Sequence, residues 1–172
     1  MTLRKLNLKD ILYMLEWMHD ISVTKDLQTN FSEKTADDCK KFIINSWKMD
    51  NNIHLAIVND FDEYQGTVSL KNIKNGNAEF AITIRSSAMG HGFSKFAMDE
   101  IIHKGFEELG LNTIYWCVSA KNKRAIRFYD KNNYRRISPS EIEIRGKYNK
   151  KQVQSYIWYL ITKTEKKMKS PV

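Results

Sequence analysis

The stretch from Asn122 to Tyr134, NKRAIRFYDKNNY, carries more structural information than any other part of this chain. Its first residue, Asn122, is a good N-cap, because its side chain can accept a hydrogen bond from the free N–H groups at a helix start. Three residues then recur at three- and four-residue spacing and would share one helix face: Ala125, Ile126 and Tyr129. Asn133 tolerates a left-handed backbone and would end the helix, so that Tyr134 opens a new strand.

A second informative stretch runs from Ile82 to Lys95, ITIRSSAMGHGFSK, where a β-branched run meets a glycine-bearing turn and then a helical pattern. The N–H groups in the first turn of a helix have no partner within the helix and carry the positive end of its dipole. Glycine lets that backbone approach a phosphate closely, so this turn predicts a pyrophosphate cradle. The residues assigned to it are Gly90, His91, Gly92, Phe93, Ser94 and Lys95.

The first stretch resembles the last conserved motif of the GNAT superfamily, the GCN5-related N-acetyltransferases. That motif usually reads Asn, two or three residues, Ala-Ile, two residues, Tyr, Lys, Gly, Phe. In this chain Asn133 stands where the family usually has Gly, and Tyr134 stands where it has Phe. Both changes keep the physical role, because Asn is the second choice for a left-handed cap and Tyr keeps the aromatic ring.

The second stretch is similar to the GNAT phosphate loop, whose form is Arg or Gln, two residues, Gly, one residue, then Gly or Ala. Met89, Gly92 and Ser94 fall on these three positions, and only the central glycine matches the family. Met89 removes a side chain that often braces the loop, but the backbone N–H groups do not depend on it. The resemblance covers roughly residues 66–134.

The resemblance implies an α/β protein of the GNAT fold, with a single mixed, twisted sheet of about seven strands, helices on both faces and a splayed central pair of strands. It also implies acetyl-CoA as co-substrate and no metal. The pantetheine arm would pair with the backbone of Ile82, Thr83 and Ile84. Asn122 would hold the end of that arm or an ordered water. Tyr129 would protonate the departing thiolate, since a phenol is protonated at neutral pH.

The general base is less clearly marked in the sequence. Some family members carry a Glu on the strand before the phosphate loop, which makes Glu79 the candidate, although a solvated strand residue is an equally good interpretation. Cys117 occupies the position of the base in other members and is better explained as a small buried group. His54 and His91 are further candidates, because histidine is the side chain whose ordinary pKa lies closest to neutral pH. A chain of waters without a dedicated base would also suffice, because alignment of the amine supplies much of the rate.

The 172 residues, 42% of them hydrophobic, suit one domain with a sizeable core. No apolar run approaches the roughly 18 residues of a membrane span. The two cysteines show neither a metal-binding spacing nor a disulfide framework, and the start of the chain lacks a secretory pattern. We therefore expect a cytoplasmic protein with an acetyltransferase domain over residues 1–163 and a basic tail over 164–172.

The net charge of +8 is concentrated in residues 121–151, which hold 11 basic and 3 acidic groups. Such a concentration of positive charge can bind nucleic acid, but no nucleic-acid-binding signature accompanies it.

The sequence from Trp17 to Asp20, followed by a helix start at Thr35, resembles the branch that holds ribosomal-protein N-terminal and amino-sugar-nucleotide acetyltransferases. We expect the acceptor to be a small amine, and we prefer an amino-sugar nucleotide to a protein N-terminus. The protein would be a monomer or a homodimer, with no nucleic acid or membrane partner. A non-catalytic acyl-CoA-binding domain is the alternative.

After the predicted helix at 123–132, the sequence suggests a closing strand pair. Its strands would run over 134–144 and 152–162, around a turn at Gly146.

Overall fold

The computed structural model describes residues 1–48 and 50–169, with side chains as far as residue 166. Within this part the strands are β1 Thr2–Lys5, β2 Ile53–Val58, β3 Tyr64–Lys74, β4 Asn77–Ile84, β5 Thr113–Ser119, β6 Arg135–Ile137 and β7 Tyr156–Thr162. The α-helices are α1 Ile11–Met18, α2 Ile21–Thr24, α3 Ala36–Ser46, α4 Phe93–His103, α5 Lys123–Lys131, α6 Lys150–Ser155 and α7 Lys163–Lys169.

The seven strands of the described residues form one sheet in the order β1-β2-β3-β4-β5-β7-β6. Neighbouring strands are antiparallel except β4 and β5, which are parallel. This central pair is joined only at its start, and Glu79 opposite Tyr115 is its last paired position. Since β4 runs on to Ile84 and β5 to Ser119, their ends diverge. The predicted mixed sheet with a splayed central pair is confirmed.

Helices cover both faces of this sheet, each over its own hydrophobic core. On one face, α4 and α5 bury residues such as Phe93, Met98 and Ile126 against the central strands. On the other face, α1 and α3 bury Met14, Trp17 and other residues over β2 and β3. Strand β2 sends alternate side chains into the two cores, with Leu55 and Ile57 in the first and Ala56 and Val58 in the second, which is why it is buried on both faces.

The closing strand pair differs from the sequence-based prediction. Strand β6 has three residues and is followed by a short turn of 3₁₀ helix at Pro139, which has no N–H to donate to a ladder. Residues 150–155, expected to begin the last strand, form α6, whose start is capped by the Asn149 side chain through the N–H of Gln152. Strand β7 begins only at Tyr156. Residues 142–149 are thereby free to cross the sheet face as a loop.

The end of the chain continues from β7 into α7, which begins at Lys163, next to the boundary proposed for the basic tail. Residues 170–172 of that tail lie outside the described residues. None of the described helices is long and apolar enough to cross a bilayer.

Candidate active site

A cavity of about 490 Å³ opens where β4 and β5 diverge. Its floor is made by the two strand ends, and its sides by the start of α4, by α5 and by residues 23–31. Of the predicted site residues, eight line it together: Glu79, Ile82, Thr83, Ile84, Gly90, Ser94, Asn122 and Tyr129. The fold therefore brings two stretches that are separated by 27 residues of sequence, 95–121, to one cavity.

The free edge of β4 is the first feature of this cavity. Strand β4 pairs with β3 as far as Ile84, but on its other side the ladder with β5 stops at Glu79. Beyond that point the backbone groups of β4 that face β5 have no strand partner among the described residues. An extended chain bearing amide groups could pair there as a substitute strand. This edge fits the pantetheine arm of acetyl-CoA, which carries two amides.

The phosphate loop has the backbone expected of an anion cradle. Gly90 and Gly92 both adopt positive φ angles of 84°, which favour glycine. Gly92 is the N-cap of α4 and offers no side chain to the first N–H groups of this eleven-residue helix. The donors at this end are therefore left for a ligand, and the dipole favours a negative one.

The other predicted loop residues differ in where their side chains lie. His91 is exposed and Phe93 is buried in the core, while Lys95 forms an ion pair with Asp99 one turn along α4. None of these three side chains lines the cavity, so any contact they make with a cofactor there would use backbone N–H groups. The sequence did not single out Arg124, which lines the cavity, lies against the Met89 sulfur and adds a positive charge beside the loop.

Tyr129 lies at the inner wall of the cavity and is only 6% exposed. Its ring is held by Trp116 and Tyr159, whose ring centroids are 5.3 and 5.0 Å away. Burial raises the pKa of this phenol well above its usual value, so the group stays protonated at neutral pH. Its hydroxyl makes no hydrogen bond to the other described residues, which leaves it free to donate to a group inside the cavity.

Asn122 has the capping role that the sequence predicts. Its side-chain oxygen accepts a hydrogen bond from the N–H of Ala125 at 3.0 Å, and α5 begins at the next residue. Asn122 also lines the cavity, so the start of α5 is fixed beside the splayed strands.

Glu79 is not a solvated strand residue, and that interpretation of the sequence is wrong. It is 3% exposed and sits at the point where β4 and β5 separate. Three donors reach its carboxylate: the Tyr148 hydroxyl at 2.6 Å, the Lys71 amine at 3.0 Å and the Asn72 amide at 3.2 Å. Glu79 can face the cavity because these groups compensate its burial.

Sequence reasoning missed Tyr148, which it placed just after a turn between two strands. The loop over 142–149 carries it across the sheet face, where its ring lies 5.3 Å from that of Trp158. Gly146, two residues before Tyr148, is the sequence feature that could have indicated a close approach of this loop to the sheet. A Cβ there would lie 2.3 Å from the Tyr148 ring and 2.7 Å from the Glu79 carboxylate, so only glycine fits this close approach.

The other proposed titrating groups are placed less favourably for a base. Burial raises the pKa of the Cys117 thiol to about 12, so it remains neutral at pH 7. His54 lies outside this cavity, in a neighbouring one. The described residues contain no cluster of three or more His, Cys, Asp or Glu side chains arranged to hold a metal ion.

Comparison with known proteins agrees with this geometry. An uncharacterized N-acetyltransferase, p20, of Bacillus licheniformis is 30% identical over 132 residues, which cover 74% of both chains. The acetyltransferase PseH of Campylobacter jejuni is 22% identical over 130 residues, or 76% of this chain and 80% of that protein. The structure of a spermidine N-acetyltransferase from Vibrio cholerae, in complex with CoA and spermine, superposes with a TM-score of 0.77. It is 19% identical and covers 95% of this chain and 96% of that one.

The family assignment follows from a family model that matches more than half of the chain. Residues 1–135 match the family model described as the acetyltransferase (GNAT) domain, which includes the phosphate loop, the splayed strands and Tyr129. This chain belongs to the GNAT superfamily and is an N-acetyltransferase.

Proposed function

We propose that the protein transfers the acetyl group of acetyl-CoA directly to a small primary amine, without a covalent enzyme intermediate. The observation that carries this proposal is one cavity that holds the free edge of β4, the uncapped start of α4 and the unpartnered hydroxyl of Tyr129. These are the three groups that binding and thioester cleavage require. A domain that only bound acyl-CoA would have less need of a placed phenol.

Each step of the transfer has a group to support it. The first-turn N–H groups of α4 and the Arg124 guanidinium would bind the pyrophosphate. A backbone N–H in 82–84 would polarise the thioester carbonyl. The amine nitrogen forms a bond to the carbonyl carbon while the C–S bond breaks, and the sulfur takes its proton from the Tyr129 hydroxyl. The phenol is then restored by a proton from water.

The amine also has to lose a proton. Glu79 remains our candidate for this step, but each of its oxygens already accepts a hydrogen bond. Since a carboxylate has about four acceptor positions, Oε2, which accepts from Asn72 alone, is the atom that could take the proton directly or through a water. Deprotonation by water alone is the alternative, since the orientation of the amine supplies much of the rate.

For the acceptor we propose an amino-sugar nucleotide in preference to a protein N-terminus. The loops that carry Gln28 and Lys147 meet at the cavity, where the Gln28 amide donates a 2.7 Å hydrogen bond to the Lys147 carbonyl. This bridge favours a small acceptor over a peptide chain. The excess of basic over acidic groups in residues 121–151 would favour a phosphorylated acceptor.

The first experiment is calorimetric titration with acetyl-CoA, followed by release of free CoA thiol across a panel of amino-sugar nucleotides, polyamines and N-terminal peptides. We expect saturable binding, and thiol release with one acceptor class. Tight binding without release on any acceptor would favour the non-catalytic alternative. Absence of binding would show that acetyl-CoA is not the donor. Whether the enzyme is a monomer or homodimer follows from the mass in solution by light scattering.

A further inference from the structure

A second cavity, of about 380 Å³, lies beside the first, under α1 and α3. The two share a wall made by β4, by Lys71 of β3 and by the segment between α2 and α3. Six residues are common to both: Thr29, Phe31, Lys71, Ala81, Ile82 and Thr83. A molecule whose amine reached the open end of β4 could therefore extend its remaining part into the second cavity. The chemistry of this second cavity should then report on the acceptor.

The walls of the second cavity are mainly apolar and aromatic. They include Met14, Trp17, Met18, Phe31, Cys39 and Phe42. Trp17 and Phe31 pack edge to face at 5.0 Å between ring centroids, and Phe42 lies against the His54 ring at 4.8 Å. Flat side chains arranged in this way suit the faces of a ring better than a flexible polar chain.

One neutral polar pair faces this apolar space. The Nδ1 atom of His54 lies 2.8 Å from the Ser69 hydroxyl, and Ser69 is 6% exposed. Burial, with the nearby Lys71 charge, lowers the pKa of His54 to about 4, so the imidazole is neutral at pH 7. Its Nε2 atom makes no hydrogen bond to the other described residues. A neutral imidazole in either tautomer can bind a ligand hydroxyl through this atom.

The charges around the second cavity are nearly balanced. Among the described residues that line it, Asp38 supplies the one carboxylate, and Lys34 and Lys71 supply positive charge. The Lys71 amine is already paired with Glu79, and Oδ2 of Asp38 accepts hydrogen bonds from the backbone N–H and hydroxyl of Thr35. The cavity therefore offers a single carboxylate, and the further ammonium groups of a polyamine would lose hydration against its apolar walls.

We propose that the second cavity binds the non-reacting part of the acceptor, and that this part is an uncharged ring with a hydroxyl group that hydrogen-bonds to His54. This inference rests on the proposed acetyl transfer and adds the class of acceptor: a primary amine carried by an uncharged, hydroxylated ring. Such a ring agrees with an amino sugar, whose nucleotide would extend away from this cavity. A linear polyamine is disfavoured as substrate, because its additional ammonium groups would lose hydration against the apolar walls.

The test uses two amines that differ by one hydroxyl, tyramine and 2-phenylethylamine, with glucosamine as a sugar and spermidine as a polycation. Thiol release from acetyl-CoA is measured for each. We expect the ring amines with a hydroxyl to have a KM at least about tenfold lower than 2-phenylethylamine and spermidine, because a site built to bind a hydroxyl discriminates against its absence. In His54→Phe, this advantage of tyramine should vanish while its ring still fits.

Two variants separate this role from a general effect on the fold. His103→Phe makes the same substitution at an exposed position on α4 and should leave every KM unchanged. Ser69→Ala removes the partner of His54 and tests the same pair if His54→Phe does not fold. A KM for acetyl-CoA that stays constant in all three variants shows that the first cavity is intact.

The inference is overturned if spermidine has the lowest KM, or if His54→Phe and Ser69→Ala change tyramine and 2-phenylethylamine equally. Calorimetric binding of tyramine in the presence of CoA provides a readout that needs no turnover. Binding that depends on His54, without thiol release, would count against the proposed transfer alone. Absence of binding by any ring amine would count against the ring site alone, provided acetyl-CoA still binds.

Discussion

Replacing Tyr148 by Phe should destabilise the protein by about 2 kcal/mol. The Tyr148 hydroxyl donates a short hydrogen bond of 2.6 Å to the carboxylate of Glu79, which is only 3% exposed. Hydrogen bonds to charged groups contribute roughly 1.5–3 kcal/mol, and a buried acceptor that loses its donor pays the desolvation cost. The Phe ring keeps its contacts with Trp158 and Tyr156, so the change isolates the hydroxyl.

The assay is thermal and urea unfolding followed by circular dichroism. For a chain of this size, about 2 kcal/mol corresponds to a fall in Tm of roughly 4–8 °C. At an m-value of about 2 kcal/mol/M, the urea midpoint falls by about 1 M. Tyr13→Phe is the matched control, because the Tyr13 ring stacks on Tyr64 and its hydroxyl makes no hydrogen bond to the other described residues. A Tm for Tyr148→Phe within about 1 °C of wild type would refute the role of this phenol.

Four further predictions concern the site and the sheet that carries it. Tyr129→Phe should lower kcat by about 100-fold or more and leave the acetyl-CoA Kd nearly unchanged, since only proton donation to sulfur is lost; unchanged turnover would remove Tyr129 as the acid. Glu79→Gln should abolish the acidic limb of the pH dependence of kcat/KM if Glu79 is the base, and a retained limb would discard it. Because burial lowers the pKa of His54 from 6.5 to about 4, the unfolded chain binds this proton first and stability falls as pH drops from about 6.5 to about 4. At pH 5 the loss from His54 is about 2 kcal/mol, and urea unfolding of His54→Phe should show a flatter dependence over this window. Gly66→Ala would place a Cβ 2.3 Å from the Thr83 carbonyl, so β3 and β4 must separate at the edge where we propose that acetyl-CoA pairs. Its calorimetric Kd for acetyl-CoA should rise, and an unchanged Kd would mean that this edge does not bind the cofactor.

Many of the local features of the fold can be predicted from short sequence patterns. Asn122 accepts the N–H of Ala125 as predicted, and α3 begins after Thr35 as the sequence indicates, with a capping box between Thr35 and Asp38. The left-handed backbone expected at Asn133 is present, with a φ angle of 56°. These features depend on a residue and its neighbours within four positions, so the sequence alone is sufficient to predict them.

The closing strand pair shows where local signals conflict. The run from Gln152 to Thr162 alternates well enough to suggest one strand, yet its first residues belong to a helix capped by Asn149. The Asn149 cap and its reciprocal hydrogen bonds with Gln152 are local features that favour a helix. Whether residues 152–155 form this helix or extend β7 instead depends on whether β6 is long enough to pair with them. Since β6 stops before Pro139, no partner strand remains for these residues.

The family, the capped helix that carries Tyr129 and the glycine-bearing start of α4 can be predicted from the sequence alone, because each depends on residue types at fixed short spacing. The surroundings of Glu79 cannot be predicted in this way, because they depend on the tertiary structure. Its donors Lys71, Asn72 and Tyr148 come from eight, seven and 69 positions away, and the last of these reaches it across the sheet. The pairing of His54 with Ser69 likewise depends on the register of β2 against β3. Burial and partners across a sheet follow from register and loop path, which no local pattern specifies.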